Sequence, residues 1–166
     1  MKNLVAAVLS LVAVSAVADT QSNKGFYVGG NVVQVDATGD VEWTAVEVTG
    51  GYKLSPYVGG EIRLGGAGDG DPNLTAYSSA YYRVESANDV AKSYLLAGYS
   101  FAAVSLGDTL PGEDDSIDLQ GFSYGVGVGF VINRRINFNV EFRQLLKDTD
   151  ENIDLRAWSA GIDFRF

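Results

Sequence analysis

The chain has 166 residues, a formal charge of −9, and neither cysteine nor histidine. Lack of cysteine excludes a disulfide framework and a zinc–thiolate site, and lack of histidine excludes a Ser–His catalytic arrangement. The acidic balance lacks the basic footprint that nucleic acid requires, and the length fits one domain.

Met1–Ala18 carries one early cation, Lys2, then an apolar run, then Ala16-Val17-Ala18 ahead of Asp19. This is the pattern of a secretory signal peptide with Ala16 and Ala18 at the cleavage site, and the run from Leu4 to Ala18 is too short for a membrane helix of roughly 20 residues. Removal would leave 166 − 18 = 148 residues, 19–166, with a charge of −10 because only Lys2 is lost.

Eight segments then follow with a period of two, which marks β-strands with two unlike faces. The first is Lys24–Asp36, where Asn31 and Gln34 fall on opposite faces and suggest a bulge or kink near Gly29-Gly30. Glu42–Leu54 follows, with Thr44, Val46, Val48, Tyr52 and Leu54 against Glu47, Thr49, Gly51 and Lys53. Ser55-Pro56 forms a tight turn into Tyr57–Ala67, where Val58, Ile62 and Leu64 oppose Glu61 and Arg63. After the loop Asp69–Pro72 comes Leu74–Val84, with Leu74, Ala76, Ala80, Tyr82 and Val84 outward and Tyr77, Tyr81 and Arg83 inward. Glu85–Asp89 turns into the long Val90–Leu106, whose facing stays open because Tyr94 and Tyr99 lie on opposite faces. A loop at Gly107–Ile117 precedes Asp118–Ile132, Arg135–Lys147 and Asn152–Phe166.

The last three segments settle which face meets which medium. Phe122, Tyr124, Val126, Val128, Phe130 and Ile132 alternate with small residues, Ile136, Phe138, Val140 and Phe142 with Asn137, Asn139, Glu141 and Arg143, and Trp158, Ala160, Ile162, Phe164 and Phe166 with Ser159, Gly161, Asp163 and Arg165. Aromatics and aliphatics on one face, with small and charged residues on the other, read as a membrane barrel with apolar residues turned out to lipid. The fold class is therefore all-β, an eight-stranded antiparallel up-and-down transmembrane β-barrel. A lumen of eight strands is filled by side chains, which disfavours an open pore.

This segment and its ending Asp163-Phe164-Arg165-Phe166 resemble the OmpA-like eight-stranded outer-membrane barrel family, the small porin-family barrels of Gram-negative bacteria. The resemblance implies an outer-membrane location and contact with lipid and lipopolysaccharide. It also implies assembly by the barrel assembly machinery and periplasmic chaperones, with Ile162, Phe164 and Phe166 as the recognition end. The chain is expected to be a monomer and to lack the peptidoglycan-binding domain of larger relatives, so cell-wall anchoring is not carried over.

Two sets of residues are candidate sites. Glu47, Lys53, Glu61, Arg63, Arg83, Glu85, Glu141, Arg143, Asp163 and Arg165 face inward, and their mixed signs point to a lumenal charge network, because buried charges must pair. Trp43, Tyr52, Tyr57, Phe130, Phe138, Trp158, Phe164 and Phe166 are the aromatic-girdle candidates. Gly125, Gly127 and Gly129 have period two inside a strand with no helix after them, so they make room in the lumen rather than a phosphate loop. Acidic loop residues, among them Glu113, Asp114, Asp115 and Asp118, lack calcium-loop spacing and read as solvated. No catalysis, cofactor or nucleic-acid partner is expected. The functional reading is a structural or surface-contact barrel with a filled lumen. The alternatives are a narrow porin-like channel for ions or small solutes and, in another class, a soluble periplasmic ligand-binding barrel.

Overall fold

The computed structural model describes residues 24–37, 41–67, 73–86, 90–105, 116–147 and 154–166. The signal segment with Ala16 and Ala18, and the acidic loop stretches 69–72, 107–115 and 148–151, lie outside the described residues. Eight strands, β1 (Gly25–Ala37), β2 (Val41–Lys53), β3 (Val58–Gly66), β4 (Asn73–Glu85), β5 (Ala91–Ser105), β6 (Ser116–Val131), β7 (Ile136–Lys147) and β8 (Leu155–Arg165), follow one another around a closed antiparallel barrel. Closure is by β1 against β8, from Tyr27 opposite Arg165 to Ala37 opposite Leu155. At the seam Gly25 adopts φ +146°, where a Cβ would also meet the Phe166 carbonyl oxygen at 2.8 Å, so glycine suits this position on both counts.

Register fixes the shape of the barrel. Directly opposed residues run Trp43, Val35, Ala157, Arg143, Gly125, Leu96, Arg83, Gly59 and back to β2 at Lys53. One circuit therefore moves 53 − 43 = 10 residues along β2. With a rise of about 3.3 Å per residue and strands about 4.8 Å apart, a shear of ten over eight strands tilts them by about 40°. Two connections are short polar turns built by side chains. Ser55 Oγ accepts from the backbone N–H of Tyr57 and Val58, both at 3.2 Å. Asn133 Oδ1 accepts from Arg135 at 2.8 Å and Ile136 at 2.9 Å. These turns lie at the end of the barrel that carries the start of β1 and the end of β8, here called the turn end; the opposite end is the loop end.

The polarity of the two faces reverses along the strands. Towards the turn end, the outward face is apolar and the inward face polar: along β6 and the residue after it, Phe122, Tyr124, Val126, Val128, Phe130 and Ile132 are exposed while Ser123 is buried. Ten residues at about 3.3 Å each and 40° tilt span roughly 25 Å along the axis, the height of a membrane-barrel apolar band. Towards the loop end the phase changes. Inward Asn31 gives way to Val33 and Val35 on β1, and inward Glu47 to Ala45 and Trp43 on β2. Outward Val32 gives way to Gln34, Val46 to Thr44, Phe122 to Gln120, and Trp158 to Arg156. On that outer surface Gln34 Nε2 donates to Glu42 and Gln34 Oε1 accepts from Thr44. The lumen here is an apolar core that includes Val33, Val35, Trp43, Leu74, Leu119, Leu145, Leu146 and Leu155. The barrel is thus inside-out at the turn end and built like a soluble barrel at the loop end.

Three sequence expectations are corrected, two by this reversal and one by a bulge. Trp43, a girdle candidate, is 4% exposed and packs inside the apolar core. Leu74, expected outward, is fully buried, because Thr75 is an extra residue on β4 against β5 and flips the alternation. The bulge expected near Gly29-Gly30 is replaced by an unbroken register with both β2 and β8; Asn31 and Gln34 oppose each other because the faces exchange character between them. A second bulge at Leu145 on β7 turns both Leu145 and Leu146 inward, and Gln144 Nε2 covers the disturbed ladder by donating to the carbonyls of Leu146 and Leu155. The open facing of β5 is also answered: Tyr94 points in and Tyr99 points out, with even-numbered positions inward along the strand.

Candidate functional site in the barrel lumen

The turn-end half of the lumen holds the charged residues. Eight strands leave little cross-section, so large inward side chains need small residues opposite them. Tyr27 faces Gly51, Tyr94 faces Gly127, Tyr77 faces Gly65 and Arg143 faces Gly125 across neighbouring strands, and the space a Cβ would take at each glycine is occupied by the opposing side chain. The inward glycines of β6 are in effect the seats of Arg143, Tyr94 and Asn139.

Arg63 is the hub. Its Nη1 and Nη2 donate to both oxygens of Glu141 at 2.6 and 2.9 Å, its Nε donates to Glu61 Oε1 at 2.7 Å, and Nη1 also reaches Glu47 Oε1 at 3.3 Å. The paired contacts to Glu141 bring together strands 78 residues apart in sequence, with the planar fork that suits a carboxylate. Glu47, fully buried, also accepts from Asn31 at 2.9 Å and Tyr77 at 2.9 Å, and Arg143 Nη2 lies 2.8 Å away. Arg143 Nε lies 2.7 Å from Glu141 Oε1, but neither contact has hydrogen-bond alignment, so Arg143 is held by charge proximity and by its seat on Gly125. Tyr27 donates to Glu61 Oε2 at 2.5 Å, and Tyr81 and Ser123 are 2.6 Å apart beside the cluster.

A second group lies nearer the turn-end mouth. Arg83 bridges Glu61 (3.3 Å) and Glu85 (3.2 Å) and stacks 3.7 Å from the Tyr94 ring centre. Glu85 is shared with Lys53 and, at 3.4 Å, with Lys92. Asp163 accepts from Asn139 at 2.7 Å, and Arg165 donates to the Asn137 side-chain oxygen at 2.8 and 2.9 Å. Counted over the lumen, five carboxylates face six cations, so the interior is near neutral although the chain is at −9.

All ten of the sequence-derived charged candidates point inward. Glu47, Lys53, Glu61, Arg63, Arg83, Glu85, Glu141 and Arg143 form the ion-paired network, while Asp163 and Arg165 meet amides. Lys92 was missed, as were Tyr27, Asn31 and Asn139; Lys92 and Asn139 stand two residues from Tyr94 and Glu141, on the same face, and the undecided facing of β5 hid the first. Between these groups Asn31, Thr49, Arg63, Arg83, Tyr94, Asn139, Glu141, Ser159 and Asp163 line a cavity of about 10 Å³, room for about one water.

Of the girdle candidates, Tyr52, Phe130, Phe138 and Trp158 are exposed on the outer wall, Tyr57 is exposed in the turn before β3, and Phe164 and Phe166 are half-buried on the wall. Outward rings also pair: Phe26 with Tyr52 (4.7 Å) near the turn end, and Tyr99 with Phe101 (5.2 Å), Phe122 with Tyr124 (6.1 Å) and Phe142 with Trp158 (4.8 Å) nearer the reversal.

Known proteins fit this geometry. Three solved structures share the fold. Neisserial surface protein A (NspA) has a TM-score of 0.67 and 18% identity over 86% of this chain and 97% of its own. The N-terminal β-barrel domain of OprF from Pseudomonas aeruginosa has a TM-score of 0.62 and 11% identity over 85% and 99%. Ail, the attachment invasion locus protein of Yersinia pestis, solved with the heparin analogue sucrose octasulfate, has a TM-score of 0.57 and 16% identity over 86% and 97%. No curated protein matches the chain by sequence. Residues 4–166 match the outer membrane protein beta-barrel domain, so the chain belongs to that family and is an integral barrel of the Gram-negative outer membrane.

Proposed function

We propose that the protein is a non-conducting, non-enzymatic barrel that presents its loop end at the cell surface and acts through contacts made there. The observation that carries this reading is the packing of the lumen in two stacked layers. Glu47, Arg63, Glu141 and Arg143 are at most 4% exposed and linked across the turn-end half, and Val33, Trp43, Leu74, Leu146 and Leu155 fill the loop-end half. An ion crossing would have to break buried pairs and then enter an apolar core, each a penalty of several kcal/mol. The family supports a lipid setting; lipopolysaccharide contact, a monomeric state, delivery by periplasmic chaperones and assembly through Ile162, Phe164 and Phe166 complete the proposal. The polysulfated ligand of Ail is a poor match for a chain at −9, which would repel a polyanion.

Single-channel recording of refolded protein in a planar bilayer tests the reading, with heat-modifiable gel mobility as proof of folding. Silence from folded protein is expected. Steady, reproducible conductance steps would replace the proposal with the narrow-channel reading.

A further inference from the structure

The strand registers, corrected for a shear of 10/8 = 1.25 residues per strand, bring five inward residues to one level at the turn-end mouth. Lys53, Glu85, Lys92, Asn137 and Arg165 fall within about one residue of that level. Its three cations are spread around the ring. Lys53 on β2, Lys92 on β5 and Arg165 on β8 stand three, three and two strands apart around the closed barrel. The strands between them turn glycine inward near this level, Gly25 on β1, Gly59 on β3 and Gly129 on β6, which keeps bulk out of the ring.

Charge is shared unevenly along the lumen. The deeper group sets Arg63 and Arg143 against Glu47, Glu61 and Glu141, 2 − 3 = −1, while the mouth group sets Lys53, Arg83, Lys92 and Arg165 against Glu85 and Asp163, 4 − 2 = +2. Glu85, the one carboxylate at ring level among the described residues, is divided between three cations. Lys53 and, at 3.4 Å, Lys92 share its Oε1, and Arg83 Nε lies 3.2 Å from its Oε2 without hydrogen-bond alignment. Arg165 donates to the neutral amide oxygen of Asn137, and its charge and that of Lys53 act on one another. Exposed Lys24, Arg134 and Arg135 add positive charge at the same end. The acidity of the whole chain does not cancel this. Asp36, Glu42 and Asp118 on the loop-end wall are about 25 Å or more away along the axis, well beyond a Debye length of about 8 Å.

We propose that this ring binds one small dianion of the phosphate class, held by the ammonium groups of Lys53 and Lys92 and the guanidinium of Arg165. All three groups are donors only and match the acceptor oxygens of a phosphate, and a mouth at +2 balances a dianion. The barrel wall and the surrounding bilayer are of low dielectric, which focuses the field of the ring into the mouth. Lipid head groups are kept off, because the donors point into the lumen and the wall stands between them and the bilayer. The buried Arg63 network closes the site from above, so it is a dead-end vestibule, separate from conduction and from contacts made at the loop end.

Phosphorus NMR of inorganic phosphate titrated with protein refolded in non-ionic micelles, at mildly alkaline pH where phosphate is a dianion, tests the inference. Saturable one-to-one binding is expected on the parent protein, with dimethyl phosphate, a phosphodiester monoanion, bound about tenfold more weakly. Lys92→Gln and Arg165→Gln should each weaken phosphate binding about tenfold, the loss of one charge-assisted hydrogen bond. Glu85→Gln, which removes the competing carboxylate, should tighten it, a gain that damage to the fold does not produce. Arg134→Gln/Arg135→Gln removes two cations outside the ring and should leave binding nearly unchanged. Heat-modifiable mobility verifies the folding of each variant, and the comparison of the two anions on the parent protein needs no variant. Absence of saturable binding, equal binding of dimethyl phosphate, or an equal loss in the Arg134/Arg135 variant overturns the proposal.

Discussion

Arg63 and Glu141 give the sharpest perturbation, because each is buried and each has more than one partner. Removing Arg63 as Arg63→Met takes away the paired donors to Glu141 and the contacts to Glu61 and Glu47. Three buried carboxylates, Glu47, Glu61 and Glu141, are then left with Arg143 and Arg83. Breaking a buried pair by truncating one partner costs about 3–5 kcal/mol, mostly from the uncompensated charge. Glu141→Met is expected to cost less, because Arg63 keeps Glu61 and Glu47. The double variant leaves two carboxylates and two guanidiniums and restores neutrality, so its loss falls well short of the sum. A coupling energy of about 2–3 kcal/mol is expected. Urea unfolding in lipid vesicles, followed by tryptophan fluorescence and by heat-modifiable mobility, measures each corner of the cycle. Additivity within about 0.5 kcal/mol would refute the network as an interacting unit.

Two further outcomes follow from the same geometry. The chain has two tryptophans, Trp43 in the loop-end core and Trp158 on the outer wall with 56% exposure. Brominated acyl chains should quench Trp43→Phe protein, which retains Trp158, and leave Trp158→Phe protein nearly unquenched; strong quenching of the latter would return Trp43 to the girdle. Gly127→Val puts a side chain where the Tyr94 ring lies, and overpacking should destabilise the barrel by about 1–3 kcal/mol. Adding Tyr94→Ala should recover part of that loss in the same urea assay; no recovery would break the link between glycine and ring.

The fold was legible because membrane-level alternation is strict where both faces have a clear preference, as along Phe122–Ile132. It became hard to read where the outside medium changes from lipid to water. Glu42, Trp43 and Thr44 still alternate, but Trp43 stands on the face that carries Glu47 and Lys53 further down. A rule that sends every aromatic to lipid therefore misplaces it. Leu74 failed for a different reason: one extra residue at Thr75 changes parity, and a bulge leaves no pattern in a single short segment. The inward charges were legible as a set, since each lies at even spacing from another inward residue. Their partners were not. That Arg63 meets Glu141 depends on the ten-residue shear carried round eight strands, a property of the closed barrel rather than of any one segment.

The barrel faces exchange polarity at one level, lipid-facing below and water-facing above. With no native cysteine, single cysteines can be introduced and spin-labelled along β1 and β2 at Val32, Gln34, Thr44 and Val46. Collision with oxygen, which concentrates in lipid, and with a water-soluble nickel chelate is then measured in vesicles. Oxygen should dominate at Val32 and Val46 and nickel at Gln34 and Thr44, with the switch within two residues on both strands. Oxygen dominance at all four, or a switch at different levels on the two strands, would contradict it.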